Sequence, residues 1–227
     1  MKTKLLLFDI DGTLLTSGGA GERSLRLSLR DRFGIEDDLK TIEIAGRTDS
    51  GITHRIFAKH GIDPTPENQS AMLDGYLHHL AVELTRSKGR LLPGIVELLN
   101  GLKERPHLAI ALLTGNLCRG AEIKLTHYGI WHYFEFGAFA DDHHDRNQLG
   151  KFARARAREK HGVEFQPENI FVIGDTPYDI DCGRAFGAKT VAIATGNFSR
   201  EQLAGRKPDY LFDDLSNVAD VIERLGW

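Results

Sequence analysis

The sequence predicts an α/β fold, a parallel sheet covered by helices with a separate helical block inserted early in the chain. Three observations carry this. Four short, continuously apolar runs lie at residues 4–10, 108–114, 169–175 and 189–195, the pattern of strands buried on both faces. Helix-like stretches alternate with the later runs, as βαβ units require. Residues 16–87 break that rhythm, with three helical stripes and no convincing strand. Together they specify a Rossmann-like core of residues 1–15 and 88–227 with a helical cap at 16–87.

In chain order, "KLLLFDI" (4–10) is the first strand. "TSGGAG" (16–21) follows as a hinge. Leu25, Leu29 and Phe33 recur at four-residue steps, the stripe of a first inserted helix. Ile52, Ile56 and Phe57 form a second stripe, closed by Gly61. In the third, Thr65 caps, Pro66 suits the first helical position, and Leu73, Tyr76, Leu77, Leu80 and Leu84 follow one face. "SKGRLLPG" (87–94) is the return hinge. Pro93 then precedes a helix with Ile95, Leu98, Leu99 and Leu102 on one side. "LAIALLT" (108–114) is a strand, and "NLCRGAEIKLTHYG" a helix ending at Gly129. "YFEFGAFA" (133–140) is a weaker strand candidate, and "GKFARARAREKHG" (150–162) a further helix. "NIFVIGD" (169–175) and "KTVAIAT" (189–195) complete the interior strands. "DYLF" (209–212) adds an edge, and "LSNVADVIERLG" (215–226) a last helix.

Composition narrows the function. The chain has 227 residues, 41% hydrophobic and 27% charged, with a net charge of −3, so no strongly basic face for nucleic acid is expected. No apolar run reaches the ~18 residues of a membrane span, and the N-terminal apolar stretch stops at Asp9, too soon for a signal peptide. Cys118 and Cys182 have no metal-type spacing. A reducing, cytoplasmic setting is expected.

The chemistry concentrates at strand ends. "DIDGT" places Asp9 and Asp11 two residues apart, where an extended backbone would aim both the same way and each would hinder the other's ionisation. "TGN" (Thr114, Gly115, Asn116) directly follows the second long strand, and "GDTPYD" brings Gly174, Asp175 and Asp179 to the end of the third. A cation lies in "DRNQLGK", either Arg146 or Lys151. Ligands bind beyond the carboxyl ends of such strands. A hydroxyl, backbone amides beside glycine, a cation and several carboxylates are the parts that hold a phosphoryl group and a hard divalent ion.

On these motifs the chain resembles the haloacid dehalogenase superfamily of phosphohydrolases, most closely its phosphoglycolate-phosphatase-like members. The insert sits where that superfamily carries a helical cap. The resemblance implies a phosphatase acting on a small phosphomonoester, with Asp9 as nucleophile and Asp11 as general acid and base. It implies Mg²⁺ on Asp9, the Asp11 carbonyl and Asp175, supported by Asp179. Thr114, Gly115 and Asn116 would bind the phosphoryl group. The third motif departs from the usual Lys-Pro, and Arg146 is preferred to Lys151 for its place before the helix. A β-phosphoglucomutase-like phosphomutase would share the aspartates. A non-catalytic binding protein on the same scaffold would be expected to have lost one of them. A phosphonate-cleaving relative would need a cap lysine, with Lys59 and Lys88 as candidates.

Other clusters read as ordinary surface. Asp141, Asp142, His143, His144 and Asp145 are consecutive and rarely converge on one ion, and His78 and His79 diverge around a helix. Arg47 and Thr48, in a loop between two inserted helices, either read the leaving group or form an exposed polar turn.

Overall fold

The computed structural model describes residues 2–227. Its elements run β1 (Lys4–Phe8), β2 (Leu15–Thr16), α1 (Ala20–Phe33), α2 (Asp49–His60), α3 (Pro66–Arg86), β3 (Arg90–Leu91) and α4 (Ile95–Lys103). They continue through β4 (Leu108–Leu113), α5 (Cys118–His127), β5 (Gly137–Ala138), α6 (Leu149–His161), β6 (Ile170–Gly174) and α7 (Pro177–Ala185). β7 (Lys189–Ile193), α8 (Arg200–Gly205), β8 (Tyr210–Phe212) and α9 (Val218–Leu225) complete the chain. Six strands form one parallel sheet in the order β5-β4-β1-β6-β7-β8.

Alternation along β1 shows why the strand is apolar throughout. Leu6 and Phe8 face a cluster with Leu98, Leu99 and Leu102 of α4, Leu125 of α5 and Leu225 of α9. Leu5 and Leu7 face the opposite layer, with Ala153 and Ala157 of α6 and Cys182 of α7. Phe8 also meets Phe134 and Trp227 edge-on at 6.2 and 6.4 Å, contacts worth about 0.5–1.5 kcal/mol each beyond burial.

Two expectations change. The apolar stretch 133–140 is mostly irregular, and only Gly137–Ala138 pairs with β4. Its hydrophobicity reflects Phe134 and Phe139, which reach the core from a loop. The flanks of the insert are also joined by a short antiparallel ribbon, β2 pairing with β3 through Leu15 with Leu91 and Thr16 with Arg90. This short ribbon joins the two crossings into the inserted helices.

Helices α1–α3 follow the stripes read from sequence. Thr48 and Thr65 cap α2 and α3 by accepting the amides of Gly51 and Asn68. Leu25, Leu29, Ile56, Phe57, Tyr76, Leu80 and Leu84 form their own core. Leu117, from the turn after β4, joins this cluster. The insert therefore packs directly on the rim where the motifs lie.

Candidate active site

The rim begins where β1 ends. The Asp9 amide still donates to Ile173 O at 2.9 Å, but Ile10 O accepts the amides of Thr13, Leu14 and Leu15, so the chain curls immediately. Asp9 and Asp11 are consequently not a same-facing pair on one extended strand. Asp9 is buried, whereas the Asp11 side chain is about one-third exposed. The curl needs Gly12, whose φ is +86° and whose missing Cβ would lie 2.3 Å from Asp175 Oδ2.

Each aspartate meets its own cation. Arg146 is buried, with Nη2 donating to Asp9 Oδ1 at 2.9 Å and to Asp179 Oδ1, while Nη1 reaches Gly46 O at 3.1 Å. Lys124 is buried on α5, and its Nζ donates to Asp11 Oδ2 at 2.5 Å and to Asn116 Oδ1 at 2.6 Å. Of the two cations considered from sequence, Arg146 enters the rim. Lys151 does not: it is exposed on the first turn of α6 and donates to Gln148 Oε1. That turn aims its Nζ at solvent.

The remaining motifs converge on the same point. Thr13 Oγ1 donates to Asp175 Oδ1 at 3.2 Å. Asp179 Oδ2 accepts the amide and hydroxyl of Thr176, and the Thr176 side chain accepts the Asp179 amide, a reciprocal cap that starts α7. Thr114 is fully buried, and its hydroxyl accepts from the Asn116 amide group at 2.9 Å. Gly115 lies under the insert: Asp49 N donates to its carbonyl at 2.7 Å, and a Cβ there would lie 2.1 Å from Arg47 O.

Burial governs the electrostatics. Loss of water raises the Asp9 carboxyl to about 6, a rise that Asp179 and Asp11 reinforce and Arg146 opposes. Asp175 is pushed well above the usual carboxylate range by burial, with Asp179 and Asp9 adding to it. Oxygens of Asp9, Asp175 and Asp179 all lie within 4.8 Å of one another. Three crowded carboxylates against one guanidinium leave a charge deficit that a divalent cation fits, and the donors are the hard oxygens such an ion prefers. Asp179 is already held by Arg146 and Thr176, which leaves Asp9 and Asp175 the freer donors.

The other sequence candidates are engaged by the chain itself. Thr48 donates to His144 O at 2.6 Å besides capping α2. Arg47 pairs with Glu43, donates to Tyr178 Oη at 3.0 Å, and stacks on that ring 3.9 Å from its centroid. Asp141 accepts the Cys118 amide, Asp142 pairs with Arg156, and Asp145 caps a short turn through Asn147 N. His79 pairs with Asp31, and Lys59 with Asp37.

Two functional candidates escaped the sequence reading. Lys124 stands among Gly120, Ala121 and Leu125 on the buried side of α5, and a cation on an apolar helix face had to be paired. Asp49, at the first position of α2, is buried, accepts Leu117 N at 2.8 Å, and is raised to about 6 chiefly by burial.

The family model described as haloacid dehalogenase-like hydrolase matches residues 6–184. The chain belongs to that family. As a haloacid dehalogenase-like hydrolase it is 24% identical to a phosphoglycolate phosphatase of Vibrio vulnificus, over 96% of each chain. It is 27% identical to the N-acetylmuramic acid 6-phosphate phosphatase of Pseudomonas aeruginosa, over 99% of this chain and 96% of that one. A hydrolase structure from Pseudomonas syringae superposes with a TM-score of 0.75 at 20% identity, covering 98% and 99% of the two chains. This haloacid dehalogenase-like hydrolase is therefore an enzyme whose relatives are phosphatases. No helix among its described residues is long and apolar enough to cross a membrane.

Proposed function

We propose that the chain is a Mg²⁺-dependent phosphatase that hydrolyses a small-molecule phosphomonoester through an aspartyl-phosphate. The observation that carries this is the division of labour between the two aspartates. Asp9 is buried and steadied by Arg146, while Asp11 is turned toward the chamber and held by Lys124 and Asn116. In this reading an Asp9 oxygen attacks phosphorus and the bond to the leaving alcohol breaks. Asp11 donates a proton to the departing oxygen, then takes one from the water that cleaves the acyl phosphate and restores Asp9. Arg146 keeps the nucleophile aimed and offsets charge as the phosphoryl group arrives. Gly115 and Asn116 would bind its oxygens, with Thr114 fixing the Asn116 side chain beneath them.

Asp9, the backbone carbonyl of Asp11 and Asp175 would hold the magnesium ion, with Asp179 bracing the set. When bound, the ion supplies positive charge between nucleophile and phosphate. Residues 16–87 act as the cap and residues 1–15 and 88–227 as the catalytic core. The loop bearing Arg47 and Thr48 borders the chamber and shapes it largely through backbone, because both side chains bond within the chain. The free cysteines suit a reducing compartment, and we place the enzyme in the cytoplasm.

The test is hydrolysis of p-nitrophenyl phosphate with Mg²⁺, with EDTA, and by Asp9→Asn. Turnover lost at least a thousand-fold in both the chelated enzyme and the variant is expected. Unchanged turnover by Asp9→Asn would remove the covalent mechanism. Phosphoryl transfer to a sugar with no release of inorganic phosphate would instead identify a phosphomutase.

A further inference from the structure

We propose that the leaving group this enzyme accepts is uncharged and hydroxyl-bearing, and that alcohols carrying a carboxylate or second phosphate are disfavoured. The inference rests on the phosphatase reading and adds the substrate class. It comes from the charges lining the chamber of about 410 Å³ between the rim and helices α1–α3.

Three described cationic residues border that chamber, Arg47, Lys124 and Arg146. None is free to meet a leaving-group anion. Arg146 is committed to Asp9 and Asp179, and Arg47 to Glu43 and Tyr178. Lys124 is the nearest alternative, but its ammonium is buried between Asp11 and Asn116. Diverting it to a substrate anion would take the ammonium from both Asp11 and Asn116, the two partners that hold it.

The cap side of the chamber is acidic and apolar. Glu22 of α1 and Asp49 of α2 border it, and no described cation forms a salt bridge with Glu22. Leu25, Ile44, Ile52 and Tyr76 supply the apolar wall. A carboxylate placed opposite the phosphoryl site would approach the exposed, unpaired Glu22 and the Asp49 carboxyl with no uncommitted cation to offset it, because Lys124 is already matched to Asp11. Hydroxyls, by contrast, can donate to those same carboxylates, and a carbon skeleton can lie on the apolar wall. The chamber thus rejects a charge and accepts a polyol.

An isosteric pair isolates the charge: 2-hydroxyethyl phosphate and 2-phosphoglycolate differ only in an alcohol against a carboxylate. With Mg²⁺ at pH 7.5, kcat/KM is expected to be at least ten-fold higher for the alcohol. Glu22→Gln should narrow that ratio at least two-fold by relieving repulsion of the anion. A second arm needs no turnover: calorimetric affinities of the wild-type enzyme for 3-hydroxypropylphosphonate and 3-phosphonopropionate, the non-hydrolysable counterparts, should differ in the same sense. Equal or better use of phosphoglycolate, or equal affinity for the two phosphonates, overturns the inference. Failure to hydrolyse any phosphate ester, p-nitrophenyl phosphate included, would remove the phosphatase reading, and the phosphonate pair would still decide the charge preference.

Discussion

Arg146 holds Asp9 at the sheet's rim, with Nη2 2.9 Å from Asp9 Oδ1, and the same nitrogen also holds Asp179. Because Nη1 reaches Gly46 O, one guanidinium joins Asp9, the start of α7 and the loop before α2. A planar fork with several donors can make these contacts together; an ammonium on a flexible stem cannot. Arg146→Lys should therefore keep the charge and lose the geometry. Expected kcat/KM for p-nitrophenyl phosphate falls at least ten-fold for Lys and a thousand-fold for Ala. Arg146→Ala should also cost about 3–5 kcal/mol in urea unfolding, since it leaves buried carboxylates unpaired. Equal kinetics for Lys and Arg would show that charge alone is used.

Lys124 serves Asp11 as Arg146 serves Asp9. Lys124→Met keeps the length and removes the donors to Asp11 and Asn116. If the lysine positions Asp11, kcat should fall about a hundred-fold while KM for p-nitrophenyl phosphate changes less than three-fold, the signature of an interaction used in the transition state. A matching rise in KM with kcat preserved would assign Lys124 to binding the substrate.

Gly115 is a contact between the inserted segment and the rim. A Cβ there would meet Arg47 O at 2.1 Å, closer than any unstrained contact, so the loop must move. Gly115→Ala is expected to cost about 1–3 kcal/mol, the usual range for overpacking, and to break the Asp49 N to Gly115 O bond. Thermal unfolding and p-nitrophenyl phosphate turnover should both decline. A variant with wild-type melting and activity would show that the cap loop yields freely.

Much of this was legible from residues. Continuous apolar runs identify β1, β4, β6 and β7 because strands covered on both faces have no polar side. Thr65–Pro66 marks α3 because a cap and a first-turn proline need only local chemistry. The carboxylates announced themselves as charges beside strand ends, while the cation stayed open between Arg146 and Lys151 until the fold placed Arg146 on Asp9. What escaped was non-local. β2 and β3 are two residues each and exist only because distant segments meet. Lys124 reads as an ordinary helix lysine until α5 turns that face inward toward Asp11. Arg47 and Thr48 read equally as leaving-group contacts or an exposed polar turn, and only the fold shows a cap bond, His144 and Tyr178 engaging them.

Asp49 allows a stability test with a definite sign. Its carboxyl is raised from 3.8 to about 6, first by burial, with Lys124 and the Leu117 amide opposing the rise. A group whose folded pKa exceeds its unfolded value favours the native state while protonated. That contribution is complete below about pH 4 and is lost as pH climbs through 6. Above pH 7 the folded chain carries a buried carboxylate at a cost of roughly 3 kcal/mol, from about two units at 1.36 kcal/mol each. Asp49→Asn keeps the shape and an oxygen to accept Leu117 N, without the charge. The variant should unfold at higher urea than wild type at pH 7.5, by up to about 3 kcal/mol, and the two should converge near pH 4. A constant gap across that range would show that the carboxylate costs nothing by its burial, and a variant less stable at pH 7.5 would show that the field of nearby Lys124 outweighs desolvation.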